Sequence, residues 1–212
     1  MTERFAIYYA PARDSALAER AEAWLGRPEL KALTVSARKY GFHATLKAPM
    51  ALKPGLGRAQ LETAVAAYAR THPGVELGRL EVRLIDGFVA LVPAVQARHV
   101  TDFAAEIVTA FEGLRQKLDA GERARRLRAP LSDRQIQLLD KYGYPYVLEQ
   151  FQFHMTLTDR LNAGQREQWA PAARAWFAAE LALPVRLDRL VLFYEPEPGA
   201  AFRRLDDYVL GS

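Results

Sequence analysis

The chain has 212 residues, half of them hydrophobic, and a formal net charge of +4 at pH 7. This length and apolar content predict one globular domain or two closely joined lobes. The chain contains no cysteine, which excludes disulfide frameworks, thiolate metal sites and cysteine nucleophiles. The N-terminus lacks the apolar run of a signal peptide and no segment reaches transmembrane length, so we expect a cytoplasmic protein without a membrane partner.

Strand and helix patterns alternate through the first half of the chain. The apolar, aromatic run at residues 5–10 predicts a first strand, and Asp14 or Ser15 can cap the helix that follows. After a loop, residues 40–47 predict a second strand, which Pro49 closes.

A helix and a hairpin complete this half. Alanine and leucine recur at helical spacing over residues 58–70, and two apolar runs follow at residues 80–85 and 88–92. The two runs are separated by Asp86 and Gly87, and an Asp-Gly pair between apolar runs is a strong hairpin signal.

The second half of the chain repeats a similar order. Ser132 can cap a short helix, and the other elements follow from the same patterns. The predicted helices are at residues 100–118, 132–140 and 165–181, and the predicted strands at residues 149–158, 185–194 and 202–205.

An arginine-rich segment interrupts the second half. The positive net charge favours an anionic partner, but this segment has no interleaved aromatic residues that could stack on bases. We therefore interpret it as the solvated face of a helix rather than as a nucleic-acid footprint. Its members are Arg123, Arg125, Arg126 and Arg128.

One short motif occurs in both halves. The tetrapeptide His-x-Thr-Leu begins at His43 and again at His154, and a phenylalanine precedes each copy. In both halves this strand is followed by a helix and then by an Arg-Leu pair. The parallel order indicates a diverged duplication with approximate halves at residues 1–95 and 96–212.

The alternation of side chains along a strand predicts where the motif residues point. Alternate residues share a face, so each histidine shares a polar face with the threonine two positions later, and the apolar residues face the opposite side. If the apolar faces pack on helices, the polar faces can line a shared cleft. The polar faces consist of His43, Thr45 and Lys47 in the first strand and Gln152, His154, Thr156 and Thr158 in the second.

Two facing imidazoles indicate acid and base chemistry on a phosphoryl group. One neutral ring can take a proton from water while the other, protonated, gives a proton to the leaving oxygen. The hydroxyls of Thr45 and Thr156 can donate hydrogen bonds to phosphate oxygens, and Lys47 can offset the developing charge.

Structural and metal-binding roles are the alternatives. A single histidine on a strand is more often structural, but matched placement beside two threonines favours catalysis. Two histidines are too few to hold a metal, and Glu149 and Asp159 lie at odd offsets from His154, on the opposite face. We expect no metal site, and we expect structural or exposed positions for His72 and His99.

The doubled motif, about 110 residues apart in a chain near 200 residues, resembles the two-histidine phosphoesterase superfamily. Further stretches are similar to the branch encoded beside bacterial phosphonate-utilisation genes. The resemblance implies an α+β fold with two lobes and pseudo-two-fold symmetry, in which antiparallel sheets form a central cleft. The stretches are residues 5–11, 38–47, 87–93, 142–146 and 151–157.

The resemblance also implies a reaction. It implies metal-independent hydrolysis of a cyclic or small phosphodiester without a cofactor, with His43 and His154 as the acid and base pair and Thr45 and Thr156 as phosphate ligands. The expected substrate is a small phosphorylated molecule, such as a ribosyl cyclic phosphate formed in phosphonate breakdown, or an RNA 2′,3′-cyclic end. The expected state is a monomer, and which histidine acts as the acid is left open.

Further site candidates come from the flanking residues. In a straight strand, the Tyr40 side chain would lie on the face opposite to His43. Gly41 permits a bend in the strand that can bring Tyr40 to the cleft. Tyr144 and Tyr146 can form a lip that stacks on a base or sugar, or can pack a loop onto the core. Gln152 lies on the same predicted strand face as His154, so its side chain can orient a substrate. A non-catalytic module that binds nucleotide or RNA ends in the same groove is the alternative function.

Overall fold

The computed structural model describes residues 3–211. The strands are β1 (Arg4–Tyr9), β2 (Ala44–Met50), β3 (Val75–Ile85), β4 (Phe88–Pro93), β5 (Met155–Thr156), β6 (Pro184–Leu187), β7 (Arg189–Glu195) and β8 (Arg203–Val209). The helices are α1 (Ala16–Leu25), α2 (Val35–Tyr40), α3 (Arg58–Thr71), α4 (Arg98–Ala110), α5 (Ala120–Arg126), α6 (Asp133–Tyr142), α7 (Ala163–Trp176) and α8 (Ala178–Leu181). Short 3₁₀ turns lie at Pro28–Leu33, Glu112–Leu114 and Leu148–Gln150.

The strands form two antiparallel four-stranded sheets. One sheet has the order β2-β1-β7-β8 and the other has the order β5-β4-β3-β6. Each histidine motif therefore belongs to an edge strand, β2 in the first sheet and β5 in the second. Each sheet draws strands from both sequence halves, because the chain crosses from the first sheet to the second before β3 and returns before β7.

Local sequence signals account for several element boundaries. The Ser15 side chain accepts a hydrogen bond from the Ala18 amide and caps α1, as expected. Ser132 caps α6 in the same way, and Gly143 ends this helix in the left-handed conformation. The Asp-Gly pair between β3 and β4 has positive φ at both residues, which fits the tight hairpin that the sequence predicts.

A shared hydrophobic core joins the two sheets. Its fully buried members include Ile7 and Leu192 from the first sheet and Leu91 from the second. Trp24 of α1 is also fully buried, and its indole nitrogen donates to the Leu157 carbonyl oxygen at 3.1 Å. This helix therefore ties the second histidine motif to the body of the protein. Within residues 3–211, no helix is long and apolar enough to cross a bilayer.

Several elements differ from the sequence prediction. Residues 35–40 form α2 rather than a loop and the start of a strand. The expected strand at 149–158 is only two residues long, and the expected strand at 185–194 is divided between β6 and β7. That division occurs because β6 pairs with β3 in one sheet, whereas β7 pairs with β1 in the other.

Candidate active site

Both histidine motifs line one cleft between the sheets. The cleft has a volume of about 800 Å³, which is within the usual range for small-molecule sites. The side chains that strand parity predicted to meet there are His43, Thr45, His154 and Thr156, and all four line the cleft.

The two imidazoles are oriented by the same backbone contact. Nδ1–H of His43 donates to the Gly41 carbonyl oxygen at 2.9 Å, and Nδ1–H of His154 donates to the Gln152 carbonyl oxygen at 2.8 Å. A carbonyl oxygen can only accept, so Nδ1 carries the proton in both neutral rings. Nε2 is therefore the nitrogen that each ring offers for proton transfer.

Backbone conformation places the carbonyl that orients His43. Gly41 has φ of 72°, in the left-handed region where a side chain is strained. This glycine follows Tyr40, the last residue of α2, and turns the chain into β2. Gln152 supplies the matching carbonyl in the second motif without a positive φ. The two motifs therefore reach the same contact by different backbone routes.

An aromatic pocket covers His43. Its ring stacks on Tyr8 with the centroids 3.8 Å apart, and Phe193 lies 5.9 Å away. Burial lowers the pKa of His43 to about 4, against the hydrogen bond to Gly41, which raises it. The ring is consequently neutral near pH 7, and its Nε2 accepts a hydrogen bond from Oγ1 of Thr45, which lies 3.3 Å away.

His154 has a more open environment. The nearest ring is Phe88 at 5.8 Å between centroids, in a tilted arrangement rather than a stack. His154 also borders an adjoining cavity of about 490 Å³. The two imidazoles are thus equivalent in their backbone contact but differ in how aromatic side chains cover them.

The strand parity predicted for Lys47 is wrong. Ile7 and Tyr8 are adjacent in β1, yet they pair with Lys47 and Thr45, which are two residues apart in β2. Leu46 is the extra residue of a β-bulge, and a bulge reverses which face the following side chains occupy. Lys47 therefore points away from the cleft, on the face that Ile7 shares.

Buried polar contacts hold Lys47 in that position. Lys47 is 2% exposed, and Nζ donates to the Val108 carbonyl oxygen at 2.8 Å and to the Glu112 carboxylate at 2.5 Å. The same carboxylate also accepts from Arg115 at 2.6 Å. Lys47 thus belongs to a structural network beneath β2.

Thr158 occupies the matching position of the second motif and is also buried. The amides of Leu157 and Thr158 both donate to the Val89 carbonyl oxygen, so the regular ladder ends there. Oγ1 of Thr158 accepts from the Val89 amide at 2.9 Å. In both motifs the regular alternation of side chains between the two strand faces ends directly after the threonine. The polar face that lines the cleft is therefore shorter than predicted.

The flanking candidates lie around the cleft in different ways. Tyr40 and Tyr144 line the main cleft, and burial raises the pKa of Tyr144 to about 12. Tyr146 is 44% exposed and lines the adjoining cavity with Gln152. Tyr146 packs edge-on against Tyr144 with 5.5 Å between centroids. Tyr144 lines both cavities, so the pair of Tyr144 and Tyr146 extends from one cavity to the other.

The other two histidines lie elsewhere. His72 stacks on Tyr68 with 3.6 Å between centroids, and its Nε2 is 3.0 Å from Glu106. His99 is exposed and its Nε2 contacts the Glu76 carbonyl oxygen at 2.8 Å. Both positions agree with the structural or exposed roles expected of them. Within residues 3–211, no group of three or more His, Cys, Asp or Glu side chains could hold a metal ion.

Sequence reasoning missed the basic wall of the cleft. The interpretation of the arginine-rich segment as a solvated face holds for Arg123, Arg125 and Arg128, which are exposed, but not for Arg126, which is partly buried. Because α5 packs beside the cleft, Arg125 and Arg126 line it. The cationic side chains that line the cleft are Arg4, Lys39, Arg125 and Arg126.

Two sheets with one histidine motif at an edge of each define a two-lobed, two-histidine fold. TT0787 of Thermus thermophilus has a TM-score of 0.51 and 16% identity to this chain, with 99% of both chains covered. Escherichia coli LigT complexed with 3′-AMP has a TM-score of 0.48 and 14% identity over 100% of both chains. The first likeness confirms the α+β fold that the resemblance to two-histidine phosphoesterases implied.

Within this fold class, the chain belongs to the family DUF1045, described as a protein of unknown function, whose model matches residues 45–203. A protein of Janthinobacterium sp. (strain Marseille) named ribose 1,5-bisphosphate phosphokinase PhnN is 37% identical over 221 residues. The alignment covers 94% of this chain and 49% of that protein. The chain thus spans about half the length of the curated relatives it matches.

Proposed function

We propose that this protein is a metal-independent phosphodiesterase that opens a small cyclic phosphodiester with His43 and His154 as its acid and base pair. The observation that carries the proposal is the matched orientation of the two rings in one cleft, each with Nδ1–H on the carbonyl oxygen two residues before it. Each ring therefore has Nε2 available for proton transfer.

The burial of His43 supports one assignment of the two roles in hydrolysis. His43 is neutral because burial lowers its pKa to about 4, so its Nε2 is the base that removes a proton from water. The water oxygen forms a bond to phosphorus as the bond from phosphorus to one ribose oxygen breaks. Protonated His154 gives its Nε2 proton to that leaving oxygen. One proton thus passes from His154 to the leaving group and one from water to His43.

Two hydroxyls complete the proposed phosphate site. Thr45 and Thr156 line the cleft beside the histidines, where their hydroxyls can donate to the non-bridging oxygens of the phosphoryl group. Hydrogen bonds that strengthen as charge develops on these oxygens lower the barrier. In the resting site the Thr45 hydroxyl contacts His43, so a bound phosphate competes with Nε2 for this donor.

The curated relatives favour a ribosyl cyclic phosphate as the substrate. Their name states action on ribose 1,5-bisphosphate, and this chain matches about half of their length. Opening a 1,2-cyclic phosphate of ribose that also carries a 5-phosphate, with cleavage at the oxygen on carbon 2, yields ribose 1,5-bisphosphate. Hydrolysis in this protein would then supply the compound that those relatives are named for, in phosphonate breakdown.

A panel of cyclic substrates tests the proposal. Ribose 1,2-cyclic phosphate, its 5-phosphorylated form and adenosine 2′,3′-cyclic phosphate are incubated with the purified protein, with and without EDTA. We expect hydrolysis of at least one ribosyl cyclic phosphate at equal rates in both conditions. Loss of hydrolysis with EDTA would refute metal independence. Binding of these compounds without turnover would favour the non-catalytic nucleotide or RNA-end module instead.

A further inference from the structure

Arg126 is a partly buried cation that lines the cleft. It is the last residue of α5 and lines the cleft with both histidines. Its Nε is buried and has no hydrogen-bond partner within residues 3–211, and no ion pair of Arg126 is present in that same range. A buried N–H group without a hydrogen-bond partner is costly, and a bound anion is one way in which a protein satisfies such a group.

Among the described residues, the charged side chains that line the cleft beside Arg126 are all positive, and Glu122, outside the lining, offsets them in part. Arg4 and Arg125 line the same cleft, and each has its own carboxylate partner, Glu195 for Arg4 and Glu122 for Arg125 at 3.4 Å. Lys39 lines the cleft near Tyr40. Of the described residues that line this cleft, none is a carboxylate. The cleft is therefore built for an anion of higher charge than one ester group.

The positive charge of the cleft lining exceeds what a single phosphodiester group requires. A cyclic phosphodiester carries a single negative charge. In the proposed mechanism, the threonine hydroxyls and His154 already contact the group that carries this charge. A phosphate monoester carries about −1.5 to −2 at pH 7 and offers three strong acceptor oxygens. A guanidinium fork fits two of those oxygens, which makes arginine well suited to bind such a group.

We propose that Arg126, supported by Arg125 and Lys39, binds a second phosphate group on the same substrate molecule and thereby determines specificity. This inference rests on the proposed function, because it assigns the part of the cleft that does not take the reacting phosphodiester. A ribosyl cyclic phosphate with a 5-phosphate has the two phosphate groups that this arrangement requires.

The test compares two substrates that differ only in the second phosphate. We measure kcat/KM for ribose 1,2-cyclic phosphate with and without a 5-phosphate, in the wild type, Arg126→Gln and Arg126→Lys. The wild type should prefer the 5-phosphorylated substrate by about 10- to 100-fold, as charge-assisted hydrogen bonds predict. Arg126→Gln should reduce the preference to about threefold or less through the KM of that substrate, and Arg126→Lys should restore part of it.

A matched control and a binding measurement separate the possible failures. Arg128→Gln removes the same charge two residues away at an exposed position outside the cleft and should retain the wild-type preference. Calorimetric titration with ribose 1,5-bisphosphate and ribose 5-phosphate checks folding and binding without turnover. Equal wild-type rates on both substrates, or an unchanged preference in Arg126→Gln, would refute the subsite while leaving the phosphodiesterase in place. Absence of hydrolysis of either substrate would refute the proposed function itself.

Discussion

The aromatic cover over His43 should set the acidic limb of the pH–rate profile. The pKa of this ring is lowered from 6.5 to about 4, which corresponds to about 3 kcal/mol in favour of the neutral form. Because kcat/KM reports the free enzyme, its acidic limb should fall near pH 4 in the wild type. Tyr8→Leu removes the ring that stacks on the imidazole at 3.8 Å and should move this limb toward pH 6.5.

The assay is the initial rate of cyclic phosphate opening from pH 3.5 to 8 at substrate concentrations well below KM. Phe202→Leu is the matched control, because Phe202 packs in the same aromatic cluster as Tyr8, with centroids 6.3 Å apart, whereas the aromatic contacts given for His43 are with Tyr8, Tyr40 and Phe193. This variant should keep the wild-type limb. A wild-type limb near pH 6.5, or an unmoved limb in Tyr8→Leu, would show that a neutral His43 is not the base.

Three further results are expected. Lys47→Met should lower the free energy of unfolding by about 1–3 kcal/mol, because it removes a buried partner of Glu112. Its kcat/KM should stay within about threefold of the wild-type value. A variant that is stable in denaturation assays but inactive in rate assays would contradict this. Gly41→Ala places a side chain at φ of 72° and ψ of 172°, costs about 1–3 kcal/mol and should reduce kcat at least tenfold by moving the carbonyl that orients His43. The unfolding free energy of the wild type should fall between pH 6.5 and 4, because the unfolded state protonates His43 first, and His43→Gln should remove that component from urea titrations.

The central residues of the site follow from sequence because their signals are local. A doubled His-x-Thr pattern with strand parity was enough to place His43 and His154 in one cleft with their threonines. Helix caps such as Ser15 and the Asp-Gly hairpin were predicted for the same reason, since neighbouring residues satisfy the backbone there. The alternation of side chains between strand faces holds from each histidine to its threonine and no further.

The predictions that were wrong concern features that depend on contacts between residues distant in sequence. Whether a bulge forms after Thr45 depends on the register with β1, a strand some 35 residues earlier, so strand alternation alone could not exclude Lys47. The packing of α5 beside the cleft is likewise a tertiary contact, and a run of arginines has the same local pattern on either kind of face. The division of residues 185–194 between two sheets also requires knowledge of both partner strands.

The central claim concerns two histidines that act together, and single-site variants test it most directly. Conversion of the 5-phosphorylated ribosyl cyclic phosphate is followed by ³¹P NMR with His43→Ala, His154→Ala and, as control, His99→Ala, whose histidine is exposed outside the cleft. The cyclic resonance should disappear with the wild type and the control but persist with the other two variants, which should still bind ribose 1,5-bisphosphate. Hydrolysis at the wild-type rate by either His43→Ala or His154→Ala would contradict the account.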